Sequence, residues 1–133
     1  MQKATVGSVE VVALVDTIQA YPATAVYPQA GEALERYAQY FDAEGRVSLN
    51  FGCFLCIDAD TSLLVDTGWG PEYQGRLLEE LAEAGVALDS VTHVLFTHLH
   101  GDHTGWNLDR SSGQALFPRA TYLVPKGDWD HYR

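Results

Sequence analysis

The chain has 133 residues, 47% of them hydrophobic, enough for one ordinary domain with a core. Its 18 acidic residues against 8 basic ones give a net charge of -10, with no cluster of Lys and Arg, which argues against nucleic acid and anionic membranes as partners. No apolar run reaches the ~18 residues of a transmembrane helix, and Met1-Gln2-Lys3-Ala4-Thr5 has no apolar stretch behind it to read as a secretory signal.

An alternating strand and helix layout follows along the chain. Valine-rich Thr5 to Val15 predicts a first strand, and Asp16 to Gln29, with Tyr21, Pro22, Tyr27 and Pro28, predicts a loop. The aromatics of that loop either wall a substrate pocket or pack against the sheet. Glu32 to Phe41 carries helix formers. Val47 to Ile57 and Leu63 to Asp66 predict a hairpin turning at Asp58-Ala59-Asp60-Thr61. Pro71 to Ala84 predicts an amphipathic helix with Leu77, Leu78 and Leu81 as its apolar stripe and Gly85 as its stop. Val91 to Thr97 and Ala120 to Val124 read as strands, and a helix begins near Lys126. Cys53 and Cys56 lie three apart in a strand and so face opposite sides, which favours packed thiols over a shared metal or disulfide. Free thiols fit a reducing, cytoplasmic compartment.

His98-Leu99-His100-Gly101-Asp102-His103 is the densest chemical signal in the chain. Imidazole and carboxylate are the usual ligands of zinc and related divalent ions. Crowded imidazoles disfavour each other's protonation, a conflict that a metal removes by taking the lone pairs. His98 and His100, two apart in an extended segment, point the same way and suit one ion. Gly101 frees the backbone to turn, so Asp102 and His103 suit a second ion, and Gly105 lets the chain leave nearby. His93, on the other face of the strand, reads as a packed histidine and not as a ligand.

Thr97-His98-Leu99-His100-Gly101-Asp102-His103 resembles the metal-binding motif of the metallo-β-lactamase superfamily, and Leu63-Leu64-Val65-Asp66-Thr67-Gly68 resembles its upstream strand ending in Asp-x-Gly. Gly105-Trp106-Asn107, Phe117-Pro118-Arg119-Ala120-Thr121-Tyr122 and Asp128-Trp129-Asp130-His131 resemble its lactonase-like branch. The resemblance extends from about Leu49 onward. It implies an α/β (α+β) fold of the αββα sandwich type, two packed sheets with helices outside. Domains of that superfamily are roughly twice as long, so residues 1–133 are expected to form the N-terminal portion of one such domain. Asp66 is either ordinary turn chemistry before Gly68 or, as the resemblance implies, hydrogen-bonded to a metal ligand from below.

The resemblance also implies a further histidine, a bridging aspartate and a last histidine, all downstream of His103. Only His131 follows, where the family begins a helix. The expectation is therefore a partial sequence, or a homodimer in which each copy completes the other. The complete protein is expected to be a metal-dependent hydrolase with two Zn2+ ions. Its metal-bound hydroxide would attack a lactone, an ester or a related small molecule, with Asp102 as ligand and proton carrier. Two alternatives stand beside it: an iron-dependent redox or sulfur-transfer enzyme on the same fold, in which a glutamate commonly stands where His100 is, and an inactive fragment whose open sheet makes it associate.

Overall fold

A computed structural model describes residues 1–133. The chain divides into two compact units, Met1–Thr17 with Phe51–Arg133, and Ile18–Asn50. One six-stranded sheet has the order β1 (Gln2–Val6), β2 (Val9–Pro22), β3 (Arg46–Asp58), β4 (Thr61–Val65), β5 (His93–Leu95) and β6 (Thr121–Leu123). Strands β1 and β2 are antiparallel, as are β3 and β4. Strands β4, β5 and β6 run parallel. The mixed sheet with helices agrees with the α/β class expected of this sequence.

Register decides what is buried. Leu55 pairs with Leu64, Leu64 with Val94, and Val94 with Tyr122, so one row crosses four strands on a single face. Helix α2 (Leu77–Glu83) contributes Leu77 and Leu81 to the cluster that also holds Val12, Leu14, Cys53, Leu55, Leu64, Val94, Phe96 and Phe117. The row beside it, Phe54–Val65–Leu95–Leu123, lies on the opposite face. There Phe54 is 51% exposed and Leu123 41%.

In the Ile18–Asn50 unit, helix α1 (Ala23–Val26) is followed by a 3-10 segment, Gly31–Tyr40, kinked at Tyr37. Tyr27, Leu34, Tyr37, Tyr40 and Phe41 line an apolar cavity of about 360 Å³ within this unit. The helix expected at Glu32 to Phe41 is therefore present in the tighter 3-10 form.

Several boundaries differ from the sequence expectation. The first strand is two strands, turning at Gly7-Ser8 with Val6 opposite Val9. Strand β2 then runs on to Pro22, so Asp16 lies inside a strand and not at the head of a loop. The helix expected from Pro71 starts only at Leu77, after a short 3-10 turn, Pro71–Tyr73. Asp16 sets that start, because Arg76 donates its backbone N–H to the Asp16 carbonyl (2.8 Å) and Leu77 donates to Asp16 Oδ1 (2.9 Å). The hairpin at Asp58 to Thr61 and the helix after Lys126, α4 (Lys126–Tyr132), are where the sequence puts them.

Candidate metal centre

The cluster lies beyond the C-terminal ends of parallel strands β4 and β5, where open α/β sheets commonly place ligands. Strand β4 delivers Asp66, and β5 delivers Thr97 and the histidines that follow. The chain then turns into one helical turn, α3 (Gly101–Thr104), which carries Asp102 and His103. Two hydrogen bonds tie the ends together: Thr67 N–H to the His103 carbonyl (2.7 Å) and Gly105 N–H to the Gly68 carbonyl (2.8 Å). A Cβ on Gly105 would sit 2.1 Å from the Trp69 backbone, so only glycine lets these segments meet.

The donors come together in pairs. His98 Nε2 lies 3.2 Å from His100 Nδ1, and His103 Nε2 lies 3.4 Å from Asp102 Oδ2. The rings of His98 and His103 are 4.0 Å apart between centroids. Tetrahedral zinc with bonds of ~2.0–2.1 Å sets two ligand atoms about 3.3 Å apart, so both pairs fit one ion each in chemistry and spacing. No group of three or more His, Cys, Asp or Glu side chains is placed to hold an ion.

Asp66 orients the cluster from beneath. It is 6% exposed and sits at φ 60°, a left-handed conformation that Asp tolerates better than most residues. Its Oδ1 accepts the Thr97 backbone N–H (2.8 Å), and its Oδ2 accepts the Thr97 hydroxyl (2.7 Å) and His103 Nδ1–H (2.8 Å). Because the Thr97 hydroxyl gives its one hydrogen to Asp66, it can only accept from His98 Nδ1, 3.1 Å away. Both bonds fix the tautomer that leaves Nε2 of His98 and His103 with a free lone pair, as metal-bound histidines require. Of the two readings of Asp66, the supporting one calls for a bond to a histidine of the cluster, and that bond is the one to His103.

Other residues fall outside the cluster. His93 is half-buried, with Nδ1 2.9 Å from Thr92 Oγ1. Phe117 is fully buried core, and His131 stands on exposed α4. Cys53 is buried and Cys56 half-buried, and both are free thiols. Burial pushes the Cys53 thiol up from its ordinary value, with the nearby Asp16 and Asp66 charges adding to it.

Sequence reasoning gave no role to two carboxylates, although Asp128 lies in a stretch that carries the resemblance. Asp128 on α4 accepts the Leu99 backbone N–H (3.2 Å) inside the histidine motif. Asp16 is 0% exposed and accepts four N–H groups, among them the indole N–H of Trp106 (2.8 Å). Neither has a local spacing signal, since their partners lie far away in the chain. The only hint at Asp16 is its two-residue phase with Val12 and Leu14, which puts a carboxylate on the buried face.

The model of the metallo-beta-lactamase superfamily matches residues 53–109. Metallo-beta-lactamase domain-containing protein 1 of Xenopus laevis is 40% identical over 89 residues, 67% of this chain and 32% of that protein. Its Mus musculus counterpart is 53% identical over 62 residues, 47% of this chain and 21% of that protein. Among solved structures, AidC, a dizinc quorum-quenching lactonase in complex with a product, superposes with a TM-score of 0.85 at 25% identity, covering 97% of this chain and 46% of AidC. Hydrolase AbOPH of the beta lactamase superfamily gives 0.78 at 28% identity, covering 96% and 45%. The chain thus spans about half the length of these structures and a smaller share of the curated relatives.

Proposed function

Because the chain belongs to the metallo-β-lactamase superfamily, we propose that it forms one wall of a di-zinc site that hydrolyses a lactone, an ester or a related small molecule. The pairing of donors carries this reading: two imidazole nitrogens 3.2 Å apart, and an imidazole and a carboxylate 3.4 Å apart, each with its supporting hydrogen bond. In this reading His98 and His100 hold one ion, and Asp102 and His103 hold the other. When bound, zinc supplies a Lewis acid for the substrate oxygen and makes hydroxide available near neutral pH.

The chain's own groups do the rest. Asp66 holds His103 in the binding tautomer, and Thr97 does the same for His98. Asp102 has two oxygens, so one can bind metal while the other takes a proton from the attacking water and passes it to the leaving group. The net charge of -10 favours a neutral or weakly charged substrate over nucleic acid or an anionic membrane. No helix is long and apolar enough to cross a membrane. The free thiols support a cytoplasmic setting. The lactone choice rests on likeness to a lactonase and on the stretch around Trp106.

Two donors per ion fall short of the usual three of catalytic zinc. The 133-residue chain alone is therefore expected to bind Zn2+ weakly and to show no turnover. A domain completed to the length of the matched structures is expected to take up zinc and to hydrolyse members of a lactone and aryl-ester panel. His98→Ala or His100→Ala removes a ligand itself and should lower kcat/KM by about 100-fold or more, at least the upper end of the loss for residues that only orient a ligand. Iron in place of zinc in protein purified without added metal, or turnover indifferent to both substitutions, would overturn the reading.

A further inference from the structure

We propose that Asp16 is a positioning residue for the metal centre, locking the loop after β4 to the loop that carries His103. The proposal rests on the reading of His98 to His103 as a metal site. Asp16 Oδ2 accepts the backbone N–H groups of Trp69 (2.8 Å) and Gly70 (3.3 Å). Its Oδ1 accepts the Leu77 backbone N–H (2.9 Å) and Trp106 Nε1–H (2.8 Å). The carboxylate is 0% exposed, and all four donors are neutral N–H groups. They come from three places in the chain: the segment after Asp66, the start of α2 and the segment after His103.

Those segments are the two sides of the metal loop. Thr67 N–H bonds the His103 carbonyl (2.7 Å), Gly105 N–H the Gly68 carbonyl (2.8 Å) and Trp106 N–H the Thr67 carbonyl (3.1 Å). This short ladder sets the register of Asp66 against His103, on which the 2.8 Å bond between them depends. Asp16 grips one side through Trp69 and Gly70 and the other through Trp106. The surroundings are cut to fit the carboxylate: a Cβ on Gly68 would lie 2.3 Å from Asp16 Oδ2, and one on Gly75 2.5 Å from Oδ1. Side chains at either glycine would displace the group that holds the ladder.

The chemistry also says which substitution is informative. Each carboxylate oxygen takes two N–H groups. Asparagine has one carbonyl oxygen and an NH2 group, so in either orientation it turns donors against donors and leaves two N–H groups unpaired. Asp16→Asn is nearly the same size, so the pocket stays filled while the grip is halved.

The test uses the metal-free 133-residue chain and reads the His103 ring by 1H–15N NMR. In the unchanged chain His103 is expected as the Nδ1–H tautomer, with that proton shifted downfield by Asp66. In Asp16→Asn, with circular dichroism retained, the signal should broaden beyond detection or split between tautomers. Leu81→Ala, a fully buried residue on α2 that makes no hydrogen bond to Asp16 or the ladder through its side chain, serves as a variant that loses stability for another reason and should keep the signal. An unchanged His103 ring in Asp16→Asn, or equal loss in Leu81→Ala, would overturn the proposal. Should Asp16→Asn fail to fold, Trp106→Phe removes one donor alone and should produce a partial loss; no change there would overturn the proposal equally. As a second readout, Zn2+ affinity should fall about tenfold or more in Asp16→Asn. If the domain completed to the length of the matched structures takes up no zinc, the metal reading falls while the ring spectrum still decides the role of Asp16.

Discussion

Strands β3 to β6 carry apolar residues on both faces, yet the two faces differ sharply in burial. On one, Cys53, Leu55, Leu64 and Val94 are buried, with Leu77 and Leu81 of α2 in the same cluster. On the other, Phe54 and Leu123 are largely exposed, and Cys56, Leu63, Val65 and Leu95 are half-covered. The two buried carboxylates, Asp16 and Asp66, continue the buried phase of their strands, at two-residue spacing from Leu14 and Leu64. Packing and polar anchoring therefore share one face, and that face holds the histidine loop in place. The other offers apolar area without a partner in this chain, the condition under which exposed patches promote association.

The largest contrast should appear on truncation. Leu64→Ala removes a fully buried side chain and is expected to cost about 2–5 kcal/mol, whereas Phe54→Ala, half-exposed one residue from Leu55, should stay within about 1 kcal/mol. Urea unfolding of both variants checks this, and equal losses would break the distinction between the faces.

The cysteines sharpen it at intermediate scale. The folded state keeps the Cys53 proton to higher pH than the unfolded chain, whose thiol ionises near the ordinary value of 9.0. The raised value thus contributes stability that is complete below about pH 9 and is lost as pH rises further, by about 1.4 kcal/mol per pH unit. The alkaline fall in stability should be shallower by that slope in Cys53→Ala. In the folded chain a thiol reagent should label Cys56 well before Cys53, which reacts only on unfolding. Early labelling of Cys53 would contradict its burial.

The smallest effect on stability belongs to the open face. Phe54→Ser with Leu123→Ser should cost about 1 kcal/mol or less, but should reduce self-association in light scattering. Association unaffected by the pair would mean that the exposed row is not the contact surface.

The histidine cluster was legible in the sequence because its chemistry is local. Four donors within His98 to His103 need only a strand end and a turn to meet, and a strand, β5, and a one-turn helix supply both. The hairpin at Asp58 to Thr61 was legible for the same reason, since turn residues set it without outside help. The mixed α/β class was implied by the resemblance of the histidine motif, and the order of strand and helix patterns fitted it. What the sequence by itself could not determine is how the cluster is held. Asp16 read as the start of a loop because its partners, Trp69, Gly70, Leu77 and Trp106, lie 53 to 90 residues away. The late start of α2 at Leu77 likewise depends on segments meeting across the sheet, and so does the bond of His103 to Asp66, which the resemblance offered as one of two readings of Asp66. Ligand type and spacing are written in neighbouring residues. The burial of a carboxylate, and the N–H groups that make its burial tolerable, exist only once the strands are in register.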